Sequence, residues 1–426
     1  MKLHALPSGP VRGEAAMPGD KSLAHRALII GALAEGETRI ANLPESNDVM
    51  ATLTALRAFG IDVQKDDDCW TVRGGGWRSP AEPIDCGNSG TAARLLMGAA
   101  AGFPISATFT GDASLRSRPM RRVTEPLALM GARLEGGERL PITVHGGGLS
   151  GIRHENVPAS AQVKSAILLA GLNAVGDVIV EEPIPTRDHT EIMLREFGCD
   201  VLVDGGMVTL GADRQLHGCE VDLGGDPSSA AFLWLAAAAI PNSEVTVRDV
   251  LLNPRRAGFI VALQRMGGDI ALDNVRGRHG ETIGDVRVRH SPLFGADFTS
   301  EEIPSMIDEI PALAVAAAFA RGETAIEGLA ELRHKESDRL AGITAGLDAC
   351  GIEAEAKNDA LQIIGGKPRG GTVRTHGDHR LAMAFATLGL ASGEGVTVDD
   401  AEMIATSFPG FVRTMRSLGA RIDELE

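Results

Sequence analysis

Hydrophobic residues form a pattern that recurs about every 65 to 85 residues along the chain. Each repeat opens with small or polar residues and continues into an alanine-rich apolar run. Because the runs are apolar on nearly all sides, we predict six helices that lie buried inside the protein. The polar starts together with their apolar runs cover residues 19–34, 87–101, 160–170, 226–239, 310–320 and 377–391.

A second recurring signal is an amphipathic stretch that ends at a glycine. Glycine at such a position is typical of the left-handed residue that follows a helix. Alternating apolar and polar residues follow the buried runs, as at residues 36–40 and 176–180, and predict strands. Each repeat is therefore predicted as a strand, a buried helix, a strand, an outer amphipathic helix and one or two further strands. The six glycines are Gly60, Gly131, Gly198, Gly267, Gly351 and Gly419.

Six such units predict an α/β protein in which the units are grouped as two sets of three. Turn residues at Pro18 and Gly19, and again at Gly224 to Pro227, are the expected hinges between two domains. The first domain would contain residues 1–19 and 226–426, and the second would be an insertion of residues 20–225. A single large α/β sheet with loops is the alternative.

The composition limits which molecules the protein is expected to bind and in which cellular compartment we expect it. The 426 residues carry a formal net charge of −16, which argues against binding of nucleic acid or an anionic membrane. An anionic ligand would therefore need a local basic pocket. The five cysteines have no metal-ligand spacing and are expected to be reduced and buried. No apolar stretch is long enough to span a bilayer and no signal peptide is recognisable, so we expect a cytoplasmic, soluble protein.

Cationic side chains stand at the start of several predicted helices. In the first helix Lys21 lies at the tip, while Ser22 and Arg26 are four residues apart and share one face. A helix N-terminus offers free N–H groups and the positive end of the helix dipole, so these residues form a candidate anion site. A capping serine beside two solvated cations is the alternative.

Gly90 lies in a glycine-rich segment, residues 87–91, where backbone amides can approach a ligand closely. The same segment would also serve as an ordinary helix cap. Arg118 stands before Pro119, which favours an extended backbone and a side chain that projects as a ligand clamp. Because four arginines occur within residues 116–122, a solvated face is the alternative there.

The third repeat adds two polar side chains at its buried helix, Ser160 and Gln162, and a cation, Arg187, at its outer helix. Helix capping alone would explain Ser160 but not Gln162. The three residues extend the polar positions to a third helix start.

Carboxylates and cations occur together in the second half of the chain. Asp308 precedes the fifth buried run, where a carboxylate would ordinarily complement the helix dipole. Lys335, Glu336 and Arg339 lie within five residues, so one narrow surface could bind an anion and move a proton. Arg380 lies at the N-terminus of the sixth predicted buried helix. The repeated cations predict a ligand, or a pair of ligands, with at least two anionic groups.

These segments resemble the 5-enolpyruvylshikimate-3-phosphate synthase (3-phosphoshikimate 1-carboxyvinyltransferase) family, and the likeness runs in order over the whole chain. The resemblance implies the two-domain inside-out α/β fold of enolpyruvyl transferases, with three βαβαββ units per domain. It also implies transfer of the enolpyruvyl group of phosphoenolpyruvate to the 5-hydroxyl of shikimate 3-phosphate, a step toward chorismate and aromatic amino acids. The segments are residues 19–22, 87–91, 118–120, 335–339, 377–380 and 407–410.

The resemblance also implies the role of each candidate residue. Asp308 would take the proton of the 5-hydroxyl, Glu336 would handle proton transfer at the methylene carbon, and Lys21 would share in catalysis. Residues expected to bind shikimate 3-phosphate are Lys21, Ser22, Arg26, Ser160, Gln162, Arg187, Asp308 and Lys335. Residues expected to bind phosphoenolpyruvate are Lys21, Gly90, Arg118, Gln162, Arg339 and Arg380. The implied enzyme needs no metal or organic cofactor, and we expect a monomer.

Two departures place the chain near the divergent second class of the family. Thr406 and Ser407 stand where many members carry a lysine, and Ala161 replaces the second serine of a commoner Ser-Ser-Gln motif. Glycine is kept at position 90, where some second-class members have alanine, so we expect ordinary sensitivity to the inhibitor glyphosate.

Two other functions are alternatives. UDP-N-acetylglucosamine enolpyruvyl transferase shares the fold, but that family pairs its first lysine with asparagine and has a reactive cysteine near Arg118. Here Ser22 follows Lys21, and residues 87–198 contain no cysteine. The second alternative is a repeat protein that binds anions without catalysis.

Overall fold

The computed structural model describes residues 1–425, and this part of the chain contains 24 strands and 13 α-helices. The strands are β1 Lys2–Leu6, β2 Arg12–Ala16, β3 Glu37–Ala41, β4 Asp62–Asp66, β5 Cys69–Arg73, β6 Ile84–Asp85, β7 Ser106–Thr110, β8 Arg133–Gly136, β9 Ile142–His145, β10 Ser150–Glu155, β11 Val175–Glu181, β12 Val201–Asp204, β13 Met207–Leu210, β14 Glu220–Asp222, β15 Glu244–Leu251, β16 Asp269–Arg278, β17 Glu281–Arg289, β18 Asp297–Phe298, β19 Glu323–Ile326, β20 Glu353–Lys357, β21 Ala360–Ile364, β22 Gly371–Val373, β23 Val396–Val398 and β24 Arg421–Leu425. The helices are α1 Lys21–Leu33, α2 Asn47–Ala58, α3 Gly90–Ala101, α4 Ala113–Ser117, α5 Arg121–Leu129, α6 Ala161–Gly171, α7 His189–Glu196, α8 Pro227–Ala239, α9 Gly258–Arg265, α10 Ile310–Phe319, α11 Arg339–Ala349, α12 His379–Ala391 and α13 Phe411–Ser417.

Contacts divide the chain into two compact units. Unit 1 contains Met1–Pro18, Gly224–Gly277 and Thr282–Glu426, and unit 2 contains Gly19–Leu223 and Arg278–Glu281. Unit 2 therefore includes the tip of the β16–β17 pair, which the sequence pattern did not indicate. The predicted boundaries of two domains, at residues 19/20 and 225/226, stay a prediction.

The strands form six four-stranded sheets with one shared pairing scheme. In unit 1 the strand orders are β22-β23-β1-β24, β16-β17-β15-β2 and β18-β19-β21-β20. In unit 2 they are β14-β3-β5-β4, β6-β7-β9-β8 and β10-β11-β13-β12. Each sheet has one parallel pair at an edge, such as β14 with β3, followed by an antiparallel pair, such as β3 with β5. The prediction of six α/β units is confirmed.

The six apolar runs form buried helices, as predicted. In α8 every residue from Pro227 to Ala238 is buried, and in α10 every residue from Ile310 to Ala318 is buried. Burial of a leucine side chain stabilises a fold by about 1.5–3 kcal/mol, so these helices dominate the core. In α8 the polar side chains, Ser228 and Ser229, lie in the first turn, where they do not interrupt the packing.

Glycine ends the outer helices as the pattern predicted. Gly60 has φ +91° after α2, and Gly198 has φ +97° after α7. A side chain with a Cβ would be strained in this left-handed conformation, which explains the choice of residue. The same sign of φ recurs at Gly131, Gly267, Gly351 and Gly419.

All five cysteines are free thiols. Cys86, Cys199 and Cys350 are buried, but Cys69 and Cys219 are only partly buried, so the expectation that all five are buried was wrong for these two. Both lie at strand or loop positions near the surface, where one side of the chain faces solvent. Burial raises the pKa of Cys86 to about 12, which keeps this thiol protonated at neutral pH.

Within residues 1–425, no helix combines the length and apolar character needed to cross a bilayer.

Candidate active site

In unit 2, Arg26 is held by hydrogen bonds from every nitrogen of its guanidinium group. Its Nε donates to Thr190 Oγ1 at 2.7 Å, Nη2 donates to Ser165 Oγ at 2.8 Å, and Nη1 donates to the Ser22 carbonyl oxygen at 2.9 Å. The side chain is 2% exposed. Burial lowers the pKa of Arg26 to about 10, and Arg187 adds a smaller lowering effect. Arg26 therefore stays cationic at neutral pH in a fixed orientation, which excludes a freely solvated side chain.

Lys21 is the first residue of α1, after the N-cap residue Asp20, whose side chain accepts a hydrogen bond from the Leu23 N–H group. The Lys21 ammonium lies 2.8 Å from Oδ2 of Asp48. Asp48 was not singled out from the sequence, because a carboxylate in the first turn of α2 resembles an ordinary dipole-complementing residue.

Gly90 is the first residue of α3, and Ser89 caps the helix by accepting from the Ala92 N–H group. Arg118 has an extended backbone, with φ −79° and ψ 141°, as predicted from the proline that follows it. Its Nη2 donates to Asn88 Oδ1 at 2.7 Å. The glycine-rich segment therefore both caps α3 and orients Arg118.

Gln162 is tied to the same region through α3. Its Oε1 accepts from Arg94 Nη1 at 2.7 Å, and its Nε2 donates to Thr91 Oγ1 at 2.9 Å. The sequence alone did not reveal this role of Arg94, although the residue lies one turn after Gly90. Gln162, Arg94, Gly90 and Arg118 thus form one continuous polar surface in unit 2.

Ser160 is the N-cap residue of α6, and its hydroxyl accepts from the Val163 N–H group at 3.4 Å. Arg187 lies in the segment before α7, rather than inside the helix. The structure therefore supports the capping interpretation for Ser160 and leaves its predicted contact with shikimate 3-phosphate a prediction.

Beneath this surface lies a buried ion cluster that the sequence analysis missed. The Lys164 ammonium, which is 0% exposed, lies 2.7 Å from a carboxylate oxygen of Glu182 and 2.7 Å from one of Glu191. Glu182 also accepts from Asn156 Nδ2 and from the Thr186 hydroxyl. The cluster therefore connects α6 to the segments on which Ser160 and Arg187 lie.

In unit 1, Asp308 is surrounded by cations. Its carboxylate oxygens lie 3.5 Å from Arg339 Nη1, 3.6 Å from Lys335 Nζ and 4.0 Å from Arg380 Nη2. Arg380 Nη1 also donates to the Asp308 carbonyl oxygen at 3.2 Å. The side chain of Asp308 is 17% exposed, so the carboxylate is accessible as well as surrounded. The structure brings these four predicted residues together.

Asp308 and its neighbour Glu309 belong to a 3-10 turn, Ile307–Glu309, that leads into α10. The N-cap residue of α10 is Glu309, and its side chain makes no capping hydrogen bond. The Glu309 side chain therefore does not cap α10 by a hydrogen bond, and the interpretation of these carboxylates as groups that complement the helix dipole stays a prediction.

Arg339 is the first residue of α11 and is 0% exposed. Its Nε donates to Asp378 Oδ2 at 2.7 Å, and its Nη2 donates to Glu336 Oε2 at 2.5 Å. Burial opposes the charge of Arg339, but the carboxylates of Asp378, Glu336 and Asp308 raise its pKa above the ordinary value. Glu336 is thus paired with Arg339, next to the carboxylate of Asp308.

Asp378 organises two of the expected cations. It caps α12 by accepting from the Arg380 N–H group at 2.9 Å, and its other oxygen accepts from Arg339. Its place directly before the sixth buried helix was the available sequence signal, because aspartate is a favoured N-cap residue. The part of the chain from residue 1 to 425 contains no cluster of three or more His, Cys, Asp or Glu side chains suited to hold a metal ion.

The family model described as EPSP synthase (3-phosphoshikimate 1-carboxyvinyltransferase) matches residues 6–415. The chain belongs to the EPSP synthase family. This confirms the family resemblance and the prediction of an enzyme that transfers an enolpyruvyl group.

Similar proteins cover nearly the whole chain. The 3-phosphoshikimate 1-carboxyvinyltransferase of Phenylobacterium zucineum is 52% identical, with 99% of this chain and 95% of the relative covered. The enzyme of the same name from Caulobacter vibrioides strain NA1000 is 50% identical, with 99% of each chain covered.

Two solved structures share the fold. EPSP synthase from Acinetobacter baumannii has a TM-score of 0.88 at 40% identity, with 99% of each chain covered. The enolpyruvyl transferase NikO from Streptomyces tendae has a TM-score of 0.79 at 20% identity, with 99% of this chain and 98% of that chain covered, so this likeness concerns the fold alone. The predicted enolpyruvyl transferase fold is therefore confirmed.

Proposed function

We propose that this member of the EPSP synthase family transfers the enolpyruvyl group of phosphoenolpyruvate to the 5-hydroxyl of shikimate 3-phosphate. The products are 5-enolpyruvylshikimate 3-phosphate and phosphate, in the shikimate pathway to aromatic amino acids. Family membership supports the reaction, and the observation that carries the site is the Asp308 carboxylate, which has three cationic side chains within 4.0 Å.

The reaction needs one base and one acid. The 5-hydroxyl oxygen attacks C2 of phosphoenolpyruvate while the methylene carbon gains a proton, which gives a tetrahedral intermediate. Loss of the phosphate group and of one methyl proton then forms the enol ether. In our proposal Asp308 accepts the hydroxyl proton and later passes it to the departing phosphate. Glu336 starts the cycle protonated, delivers its proton to the methylene carbon and takes one proton back during the elimination. Lys21 acts beside the two substrates as a third catalytic group.

In this proposal the anionic groups bind to the cationic and polar side chains named from the sequence. Shikimate 3-phosphate binds to Lys21, Ser22, Arg26, Ser160, Gln162, Arg187, Asp308 and Lys335. Phosphoenolpyruvate binds to Lys21, Gly90, Arg118, Gln162, Arg339 and Arg380. The fixed orientation of Arg26 and Arg339 supports these assignments, because preorganised cations bind anions without reorganisation of the protein.

The test is phosphate release from purified protein with phosphoenolpyruvate and shikimate 3-phosphate, beside a second reaction with UDP-N-acetylglucosamine as acceptor. Release with shikimate 3-phosphate alone is expected. An Asp308→Asn variant, which keeps the size of the side chain, should lose about 10²–10⁴-fold in kcat. Release with the sugar nucleotide alone would overturn the acceptor assignment.

We also propose that the protein acts as a cytoplasmic monomer built of the two domains defined by residues 1–19 with 226–426 and residues 20–225. Five free thiols are typical of a reducing compartment and support the location. Light scattering after size-exclusion chromatography measures the mass against 44.6 kDa per chain. Cleavage by limited proteolysis away from the predicted boundaries would contradict the domain assignment.

A further inference from the structure

Arg256 lies in the loop between β15 and α9 and forms a buried ion cluster with two carboxylates of unit 1. Its side chain is 2% exposed. Nη1 donates to Glu309 Oε1 at 2.8 Å, and Nη2 donates to Asp226 Oδ1 at 3.0 Å. A buried arginine loses its hydration, so its presence needs compensation of this kind. None of the expected substrate contacts includes Arg256.

Glu309 connects this cluster to the candidate active site. Its Oε1 accepts from Arg256 and from the Ser228 hydroxyl, and it lies 3.8 Å from Arg380 Nη1. Glu309 also follows Asp308 directly in the Ile307–Glu309 turn. One buried carboxylate therefore acts on a cation expected to bind phosphoenolpyruvate and on the turn that carries the expected base.

The charges of the cluster explain why Arg380 takes part. Arg256 contributes one positive charge, while Asp226 and Glu309 contribute two negative charges. Arg380 is the next cation near Glu309, so part of the remaining negative charge is compensated from the active-site side. A substitution that removes the charge of Glu309 or Arg256 would therefore change the position of Arg380 and the electrostatic potential at Asp308.

We propose that Arg256 and Glu309 are positioning residues for the enolpyruvyl transfer reaction: Arg256 fixes Glu309, and Glu309 fixes Arg380 and the direction of Asp308. The inference rests on the proposed function, in which Asp308 is the base and Arg380 binds phosphoenolpyruvate. It adds two residues that contact neither substrate.

The experiment compares Glu309→Gln and Arg256→Met with the parent enzyme. Glutamine keeps the shape of Glu309 and can still accept hydrogen bonds, so this variant should fold. We expect kcat to fall about 10–100-fold and KM for phosphoenolpyruvate to rise several-fold in both variants, since misplacement by about 1 Å can cost 10²-fold. The KM for shikimate 3-phosphate should rise less than the KM for phosphoenolpyruvate, because Asp308 is one of eight expected contacts of that substrate. Arg256→Lys, which restores the charge but not both hydrogen bonds, should recover part of kcat.

The pH profile separates positioning from a general loss of structure. Asp308 is faced by Lys335, Arg339 and Arg380, and Arg339 in turn carries the carboxylates of Glu336 and Asp378. Loss of the negative charge of Glu309 should move the acid limb of kcat to lower pH. Loss of the positive charge of Arg256 should move it to higher pH. Shifts in the same direction, or none, would overturn the inference.

Two controls keep the outcomes distinct. Val288→Ala removes buried volume from β17 in the same unit, and a loss of stability alone should leave its kcat near the parent value. Asp308→Asn tests the proposed base. If that variant is as active as the parent, the base assignment fails. If Asp308→Asn is inactive while Glu309→Gln has parental kinetics, the positioning inference alone fails.

Discussion

A Cβ atom built on Gly90 would lie 2.7 Å from Nη1 of Arg94. Real Cβ atoms essentially never approach another heavy atom so closely, and Nη1 of Arg118 would lie only 3.3 Å away. Because the near atoms are the ends of flexible side chains, the helix can tolerate alanine if the two arginines move. The missing side chain of Gly90 therefore leaves the space that the guanidinium groups of Arg94 and Arg118 occupy.

Gly90→Ala should weaken the binding of phosphoenolpyruvate and of glyphosate without unfolding the protein. We expect the glyphosate concentration for half inhibition to rise about tenfold or more, which corresponds to ~1.4 kcal/mol. Inhibition assays with the parent and the variant provide the measurement. Gly137→Ala is the matched control, because a Cβ there meets nothing within 4 Å. Equal inhibition of the parent and Gly90→Ala would contradict the mechanism.

Glu336→Gln should slow proton transfer at the methylene carbon. The carboxylate of Glu336 accepts from Arg339 Nη2 at 2.5 Å, and the amide of glutamine would keep the size but lose the basic oxygen. In D₂O, the parent should introduce deuterium into the vinyl group of the product. We expect this incorporation and kcat to fall together, by about 10²-fold. Mass spectrometry of the product measures the label, and incorporation at the parental rate would exclude Glu336 from this role.

Lys164→Met should strongly destabilise unit 2. The substitution leaves the buried carboxylates of Glu182 and Glu191 without their shared cation, and breaking a buried pair in this way costs about 3–5 kcal/mol. The unfolding free energy, measured with urea, gives the difference from the parent.

The pH dependence of the same variant provides a check on the cause. Without Lys164 the folded variant holds two buried carboxylates with no shared cation, and protonation removes this unpaired charge. The destabilisation should therefore become smaller as the pH falls from 8 to 5. A difference that is independent of pH would mean that lost packing, rather than unpaired charge, is responsible.

His25 should reduce the stability of the protein in acid. Burial, with smaller contributions from Lys21 and Arg26, lowers the pKa of His25 to about 3, while its Nδ1 is hydrogen-bonded to Thr52 Oγ1 at 2.7 Å. The unfolded chain takes up a proton near pH 6.5, so stability is lost as the pH falls from 6.5 toward 3, at roughly 1 kcal/mol per pH unit. His25→Gln should have a flatter stability profile between pH 6.5 and 4.5. Parallel profiles would show that His25 takes up its proton equally in the folded and unfolded states, so that its pKa is not lowered by folding.

Much of the fold could be predicted from local pattern. Six apolar runs with polar starts and six amphipathic stretches that end at glycine specify six copies of the same α/β unit, because the hydrophobic period and the residues at helix ends are local properties of the sequence. The 3-10 turn at Ile307–Glu309 could not be predicted in this way. Its geometry depends on the buried partners of Glu309, which come from distant segments of the chain.

The site was predictable where residues are near in sequence, and less so where partners are distant. Lys335, Glu336 and Arg339 lie within one segment, and the structure places Lys335 and Arg339 beside Asp308 and pairs Glu336 with Arg339. The partners of Arg26 are Thr190 and Ser165, which lie 164 and 139 residues away in the chain. In the sequence, Thr190 and Ser165 look like ordinary residues of a helix start or a helix interior. Only the tertiary structure therefore reveals their contact with Arg26.

The six buried helices vary most in chemistry at their first turns. Beyond those turns the helices are core, and their packing restricts substitution. A fold built from six such units can vary one small region in each unit while every unit retains its interior. Lys21 is the first residue of α1 and Arg380 is the second residue of α12, so two helix starts of the same kind carry different cations on the same architecture.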